Sequence, residues 1–104
     1  MVSDKVFKAL ADKNRRRVIG LLMEKSMNVN SLLKYFEISQ ATLSSHLAIL
    51  KKAGLVFFRI NGRERIYSLK KEFLISFVNE LIKFTGIHEK SSLLSDVQVR
   101  GVSE

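Results

Sequence analysis

Short, uncharged polar side chains fill most of the outward positions between residues 40 and 48. Leu43, Leu47 and Leu50 recur at helical spacing and would face a core. The side chains that this arrangement turns outward are those of Gln40, Ala41, Thr42, Ser44, Ser45 and Ala48. A glutamine amide pairs with adenine, and a hydroxyl both donates and accepts, so such a face can read base edges in the major groove of DNA. Similar residues are common on solvated helices, so the interpretation depends on the charges around them.

Basic residues flank this stretch in three groups whose side chains are suited to contact phosphates. The groups are Lys51 and Lys52; Arg59, Arg63 and Arg65; and Lys13, Arg15, Arg16 and Arg17. The net charge of +8 is concentrated in residues 1–71, which hold 15 Lys and Arg against 5 Asp and Glu. This concentration indicates an anionic polymer or surface as the partner, and together with the uncharged helix face it favours double-stranded DNA. Because three consecutive helical residues cover about 200°, Arg15 to Arg17 cannot all reach one ligand, and at least one should be structural or face solvent.

The same inventory excludes most other chemistry. The chain has no cysteine, which removes disulfides, thiolate metal sites and cysteine nucleophiles, and its two histidines are His46 and His88. With no nucleophile, paired base or phosphate loop, neither an enzyme nor a metal or other cofactor is expected. Apolar runs reach only about six residues, far below the roughly 18 of a membrane span. No secretory segment opens the chain, so no membrane insertion and a cytoplasmic location are expected.

Two elements that would position these side chains have clear local signals. Ser39 can cap a helix that Gly54 ends, which predicts a helix over about residues 40–53. Asn61-Gly62 then separates the β-rich runs 56–60 and 63–67, which predicts a hairpin closed by a type I′ turn. The hairpin would carry the arginines of the second basic group.

Four more helices are predicted from caps and apolar periodicity. The first begins at Ser3 or Asp4, and the second is capped by Asp12 and ends near Lys25. The third is short and capped by Asn30, and the last runs from Lys70 or Lys71 to Gly86. Together the elements predict a mainly α fold with a small β-hairpin, in the order α-α-α-α-β-β-α: a winged helix-turn-helix over residues 1–86. The tail, residues 87–104, has no sustained period, and its structure is not predicted.

The first and last helices carry apolar faces that the small hairpin cannot cover. These faces comprise Val6, Phe7, Leu10, Phe73, Leu74, Phe77, Val78 and Leu81. About 600 to 1,000 Å² per subunit would stay exposed, more than monomers usually tolerate. We therefore expect a homodimer through these two helices, with its recognition helices roughly 34 Å apart over a palindromic site.

The segments VFKALADKNRRRVIGLL and SQATLSSHLAILKKAGLVFFRINGRERIYSL are similar to the ArsR/SmtB family of winged-helix repressors. The resemblance covers roughly residues 5–84. It implies a homodimer that pairs its first and last helices and places each fourth helix in the major groove of an inverted-repeat operator. It also implies that ligand binding, where it occurs, releases the DNA.

The family's metal sensors carry cysteines on the third helix or an Asp/His/His/Glu set on the last, and this chain has neither pattern. It therefore resembles the metal-independent subset, whose members can act as autorepressors or be relieved by a protein partner, a redox change or a small molecule. Because the chain has no cysteine, thiol redox sensing is not expected, and a protein or a small molecule is the expected inducer. His46 matches a family position at the seam of the helix-turn-helix and is interpreted as structural.

Three functions stay open. The first is a sequence-specific transcriptional repressor, the second an architectural protein that coats DNA without preference, and the third a protein-interaction module whose basic face binds an acidic partner.

Overall fold

The computed structural model describes residues 4–86, which form five helices and a three-stranded sheet. In chain order the elements are α1 (Asp4–Leu10), α2 (Lys13–Glu24), β1 (Met27–Asn28), α3 (Val29–Leu33), α4 (Gln40–Lys52), β2 (Val56–Asn61), β3 (Glu64–Leu69) and α5 (Lys71–Thr85). The predicted mainly α, winged helix-turn-helix arrangement is confirmed, with one strand added. The tail, residues 87–104, and with it His88, lies outside the described residues.

The boundaries of α4 agree with the local signals. The Ser39 hydroxyl accepts a hydrogen bond from the Thr42 backbone N–H at 3.0 Å, which satisfies one free donor of the first turn. At the other end Gly54 takes a left-handed φ of 88°. Its N–H bonds the Lys51 carbonyl and the Leu55 N–H bonds the Leu50 carbonyl, both at 3.0 Å. This is the Schellman pattern, which fixes where the chain turns into the sheet.

The sheet contains a strand that the sequence patterns did not predict. β1 has two residues and pairs antiparallel with β3, with Met27 opposite Tyr67, so the strand order is β1-β3-β2. The cap of α3 moves with it. Asn28, not the predicted Asn30, caps this helix by accepting from the Ser31 N–H at 2.8 Å. Phe36 lies beyond the end of α3 and packs against the core from the turn.

The hairpin turn is displaced by one residue from the predicted position. Asn61 pairs with Glu64, so the two loop residues are Gly62 and Arg63 rather than Asn61 and Gly62. Of these two loop residues only Gly62 has a positive φ, 66°, whereas a type I′ turn needs positive φ at both central positions. The predicted type I′ turn is therefore wrong, and Arg63 sits at the tip of the hairpin.

The core lies between α4, the earlier helices and the base of the sheet. Its largest fully buried side chains are those of Val6, Val18, Leu32, Leu43, Leu47, Leu50, Leu55 and Val56. Val6 was expected at a dimer contact, but a side chain that is 0% exposed within one protomer has no surface left for a second copy. That prediction is wrong for Val6. The outer face of α1 presents Phe7, and half-buried Leu10 lies beside it.

α5 is attached to the rest of the fold along one edge only. None of its residues is buried, and Phe73, Ile75, Val78 and Phe84 are each at least 38% exposed. The Phe77 ring meets Phe7 of α1 edge-on, with centroids 5.5 Å apart. The helix ends where predicted, at Gly86 with φ 75°. Within residues 4–86 no helix is long and apolar enough to span a membrane.

Candidate nucleic-acid interface

The outward face of α4 is exposed along its whole length. Gln40, Ala41, Thr42, Ser44 and Ser45 all face solvent, while the three inward leucines are fully buried. The face presents amide and hydroxyl groups with no charged side chain before the last turn of the helix. Such a surface offers donors and acceptors to base edges. It carries no acidic side chain that would repel the phosphates and no bulky side chain that would keep the helix out of the groove.

A cleft of about 550 Å³ separates α4 from the hairpin and gathers the cations on one side of the molecule. Its lining includes Ser44 and Lys51 from α4 and Arg63 and Arg65 from the hairpin. All four residues are exposed. The structure thus brings together part of the predicted base-reading face and three of the predicted phosphate contacts, as binding of one duplex requires.

One aromatic ring supports two of these cations. The Arg65 guanidinium lies 4.5 Å from the centroid of the Phe58 ring, and the Lys51 ammonium lies 5.6 Å from it. Phe58 is itself fixed against buried Tyr67, with ring centroids 5.3 Å apart. Cation–π contacts of this length restrict where a long side chain can go. Sequence reasoning missed Phe58, because only the hairpin register brings it beneath both cations.

Arg59 is separated from this group. Side chains of a strand alternate between faces, and Phe58 and Arg65 share the face that looks towards α4. Arg59 lies opposite Ile66, which places both residues on the other face of the hairpin. Lys52 is exposed at the end of α4 but does not line the cleft.

The basic residues that open α2 divide into two sets. Arg15 donates to the carbonyls of Ala9 at 2.7 Å and Lys8 at 3.2 Å, and Arg16 donates to the carbonyl of Leu10 at 2.8 Å. These bonds satisfy the free carbonyls at the end of α1. The expectation that at least one of these arginines is structural or faces solvent is confirmed, and two of them are structural.

The other set faces outward around a depression of about 680 Å³ beside the turn that leads into α4. Lys13, Arg17 and Lys34 contribute the positive charges, and Arg17 stacks over the Phe36 ring at 5.5 Å. Glu37 is the acidic residue of the lining. Lys34 was not among the predicted contacts, because no motif marks it and only the fold places it next to α2.

His46 joins α4 to the start of α2. Its Nδ1 lies 3.1 Å from Arg15 Nη1, and its Nε2 lies 3.9 Å from Asp12 Oδ1. Asp12 also caps α2 by accepting from the N–H groups of Asn14 and Arg15. The bond from the Arg15 N–H is the main cause of the lowered pKa of Asp12, and the bond from the Asn14 N–H and the nearby Arg15 charge add to it. The interpretation of His46 as structural agrees with these contacts and with its 12% exposure.

Comparison with known proteins points to one family. Residues 12–56 match the sequence profile described as "Bacterial regulatory protein, arsR family". The chain is 34% identical over 79 residues to the transcriptional repressor SdpR of Bacillus subtilis, covering 76% of this chain and 88% of the relative. It is 36% identical over 75 residues to the arsenical resistance operon repressor of Staphylococcus xylosus, covering 72% of this chain and 71% of that protein.

A solved structure gives the same result at the level of the fold. The crystal structure of an ArsR family transcriptional regulator superposes with a TM-score of 0.74 at 28% sequence identity, covering 83% of this chain and 94% of the other. The similarity therefore extends beyond the profile-matched residues 12–56 to most of the described fold.

Proposed function

We propose, from the premise that this chain belongs to the ArsR family of bacterial regulatory proteins, that it represses transcription by binding an inverted-repeat DNA operator as a homodimer. The chain is a DNA-binding transcriptional regulator and not an enzyme. The observation that carries the proposal is the uncharged outer face of α4 beside the cationic cleft of the hairpin.

Each side chain of the interface has a distinct proposed role. Gln40, Thr42, Ser44 and Ser45 read base edges, and Ala41 lets the helix approach closely. The phosphate contacts are Lys51, Lys52, Arg63 and Arg65, and the tip position of Arg63 suits an adjacent minor groove. Arg59 remains a proposed backbone contact from the far face of the hairpin.

The homodimer is supported by the apolar surface that one protomer leaves uncovered. α5 has no buried residue, and Val78 and Phe84 are 45% and 78% exposed. Phe7 of α1 lies beside Phe77 of α5, so the two helices form one continuous apolar surface. Pairing of this surface about a two-fold axis would bury it and would place two α4 helices over successive major grooves.

The inducer is proposed to be a protein or a small molecule rather than a metal ion. The sequence contains no cysteine, and residues 4–86 bring no three His, Asp or Glu side chains together. A borderline or soft metal ion prefers such nitrogen and sulfur ligands. We further propose a cytoplasmic location, where a transcriptional regulator meets its DNA.

The test is selection of bound duplexes from a random-sequence library, followed by titration of the best duplex and a shuffled one at two salt concentrations. We expect a palindromic sequence and a specificity ratio well above 10. A ratio below about 10 at both salts would instead indicate an architectural protein. No binding to either duplex would favour an acidic protein partner.

Two variants then separate the roles within the interface. Ser45→Ala should change the preferred base at one position of each half-site. Arg63→Ala should weaken all duplexes alike, by about 1 kcal/mol or more, and lower the salt dependence. Arg59→Ala removes the same charge from the opposite face of the hairpin, and a smaller loss is expected.

A further inference from the structure

The Arg15 side chain connects three helices. It starts on α2, donates through Nε and Nη2 to the last carbonyls of α1, and reaches His46 of α4 through Nη1 at 3.1 Å. Three of the five N–H groups of a guanidinium are used in these bonds. α1 is a short helix of seven residues, so fixing its end fixes the whole element.

The hydrogen bond between Arg15 and His46 can run in one direction only. A guanidinium only donates, so Nδ1 of His46 must accept and the imidazole proton must lie on Nε2. Nε2 faces the Asp12 carboxylate, which in turn caps α2 and lies in the same network as Arg15. The bond from Arg15 therefore orients the ring of His46, and the Asp12 carboxylate lies 3.9 Å from its other nitrogen.

This arrangement differs from a phosphate contact. Arg15 is half-buried, and its donors point at carbonyls of the same chain, whereas Arg63 and Arg65 are exposed beside the cleft. The neighbouring Arg16 also bonds α1 but has no bond to α4 among the described contacts. Arg15 is thus distinguished from its neighbour by the bond that reaches the recognition helix.

We propose that Arg15 is a positioning residue that acts through His46 to fix the orientation of α4 relative to α1, and thereby sets the half-site spacing that the dimer accepts. The inference rests on the proposed function, because α1 belongs to the proposed dimer surface and α4 to the proposed base-reading surface. The separation of two α4 helices in a two-fold dimer depends directly on this angle.

Four variants of the full chain test the proposal. Arg15→Lys keeps the charge but replaces the planar fork with a single ammonium. His46→Leu removes the acceptor, whereas His46→Asn keeps an oxygen acceptor near the position of Nδ1. Arg16→Lys is the matched control, because it makes the same change next door on a residue that bonds only α1.

The probes are the best duplex from the library and versions with one or two base pairs inserted or deleted between the half-sites. We expect Arg15→Lys and His46→Leu to lose about tenfold or more in affinity for the parent duplex, and to discriminate less between spacings than the wild type. His46→Asn and Arg16→Lys should stay within about threefold of the wild type and keep its spacing preference. Sedimentation and thermal unfolding of each variant establish that dimer and fold persist.

Several results would overturn the proposal. Arg15→Lys with wild-type affinity and spacing preference would show that the bond to His46 has no role in positioning. An equal loss on every duplex, whether with a reduced salt dependence or with a matching loss of stability, would make Arg15 a phosphate contact or a general structural residue. A wild type without any sequence preference would refute the proposed function instead. Independently of DNA, ¹⁵N shifts of the His46 ring should report a protonated Nε2, and a protonated Nδ1 would contradict the bond from Arg15.

Discussion

Replacing Val78 with aspartate should separate the proposed dimer without unfolding the protomer. Val78 is 45% exposed, so the dimer would cover about half of a side chain whose full burial contributes roughly 1.5 to 3 kcal/mol. That amounts to about 1 kcal/mol per subunit, or about 2 kcal/mol for the symmetric pair. Two unpaired carboxylates in an apolar contact add at least about 2 kcal/mol more. A total near 4 kcal/mol raises the dimer dissociation constant about 1,000-fold.

Val78 is a better site for this test than Phe77, because Phe77 also packs against Phe7 within the same protomer. The matched control is Asn79→Asp, which introduces the same carboxyl group at an exposed position about 100° further round α5. Sedimentation equilibrium over a range of protein concentrations measures both dissociation constants. If Val78→Asp and Asn79→Asp give constants within about threefold of each other, the α5 surface is not the dimer interface.

Loss of the dimer should weaken operator binding, and a higher protein concentration should restore that binding by restoring the dimer. At protein concentrations below the new dissociation constant, Val78→Asp should bind the selected palindromic duplex only as weakly as a single half-site. Raising the concentration above that constant should restore binding. A monomeric variant with wild-type affinity for the full palindrome would contradict the reasoning that two recognition helices act together.

Three further predictions concern stability and the hairpin. Gly54→Ala should destabilise the fold by about 1 to 2 kcal/mol in thermal unfolding, because Gly54 has a φ of 88°. Gly20 lies within α2 with open space around it, so Gly20→Ala should stabilise the fold by up to about 1 kcal/mol. Effects of the same sign would refute this reasoning. Phe58→Leu should weaken binding of every duplex about two- to fivefold without changing base preference, because the two cations above the ring lose their support. Because the pKa of Asp12 is lowered in the folded protein, its charge stabilises the fold above about pH 4. This stabilisation is lost as the pH falls through the pKa of Asp12 in the folded state. The difference in unfolding midpoint between the wild type and Asp12→Asn at pH 6 should therefore vanish in acid.

The parts of the fold that could be predicted are those whose signals are local. Both ends of α4 are determined by neighbours in sequence, the Ser39 hydroxyl and the left-handed Gly54, so its boundaries followed from the residue types alone. Strand β1 has no such signal. Its two residues become a strand only because Met27 meets Tyr67, forty positions along the chain, and a pairing of that range leaves no periodic pattern.

The turn of the hairpin shows how the core can override a local preference. Asn-Gly favours a type I′ turn centred on those two residues. The register, however, is also set at the base of the hairpin, where Val56 lies opposite Leu69 and both side chains are buried. A turn centred on Asn61-Gly62 would keep the same faces but shift the pairing by two residues, so that Val56 would lie opposite Tyr67 and Leu69 opposite Gly54, which ends α4. The turn therefore follows the core, and Arg63 is carried to the tip.

In the candidate site, residue types predicted where positive charge is concentrated but not the role of each basic residue. Arg15 and Arg63 are indistinguishable by composition and by charge. They differ in the acceptors around them. The carbonyls at the end of α1 accept from Arg15, whereas no comparable acceptor bonds Arg63 among the described contacts. Such a division requires the angle between α1 and α2, which no local pattern specifies.

Two kinds of contact hold α4 in the fold: the apolar packing of its leucines and the hydrogen bond between His46 and Arg15. Leu43, Leu47 and Leu50 fix its depth in the fold, but apolar packing is non-directional and by itself leaves small rotations inexpensive. A hydrogen bond weakens steeply as its angle departs from linear, so the bond between Arg15 and His46 constrains rotation where the leucines do not. Substitutions of the leucines should therefore reduce stability first, whereas substitutions of the polar pair should change spacing preference first. In the proposed dimer, the stability of the fold and the spacing of the two half-sites would then be set by different residues.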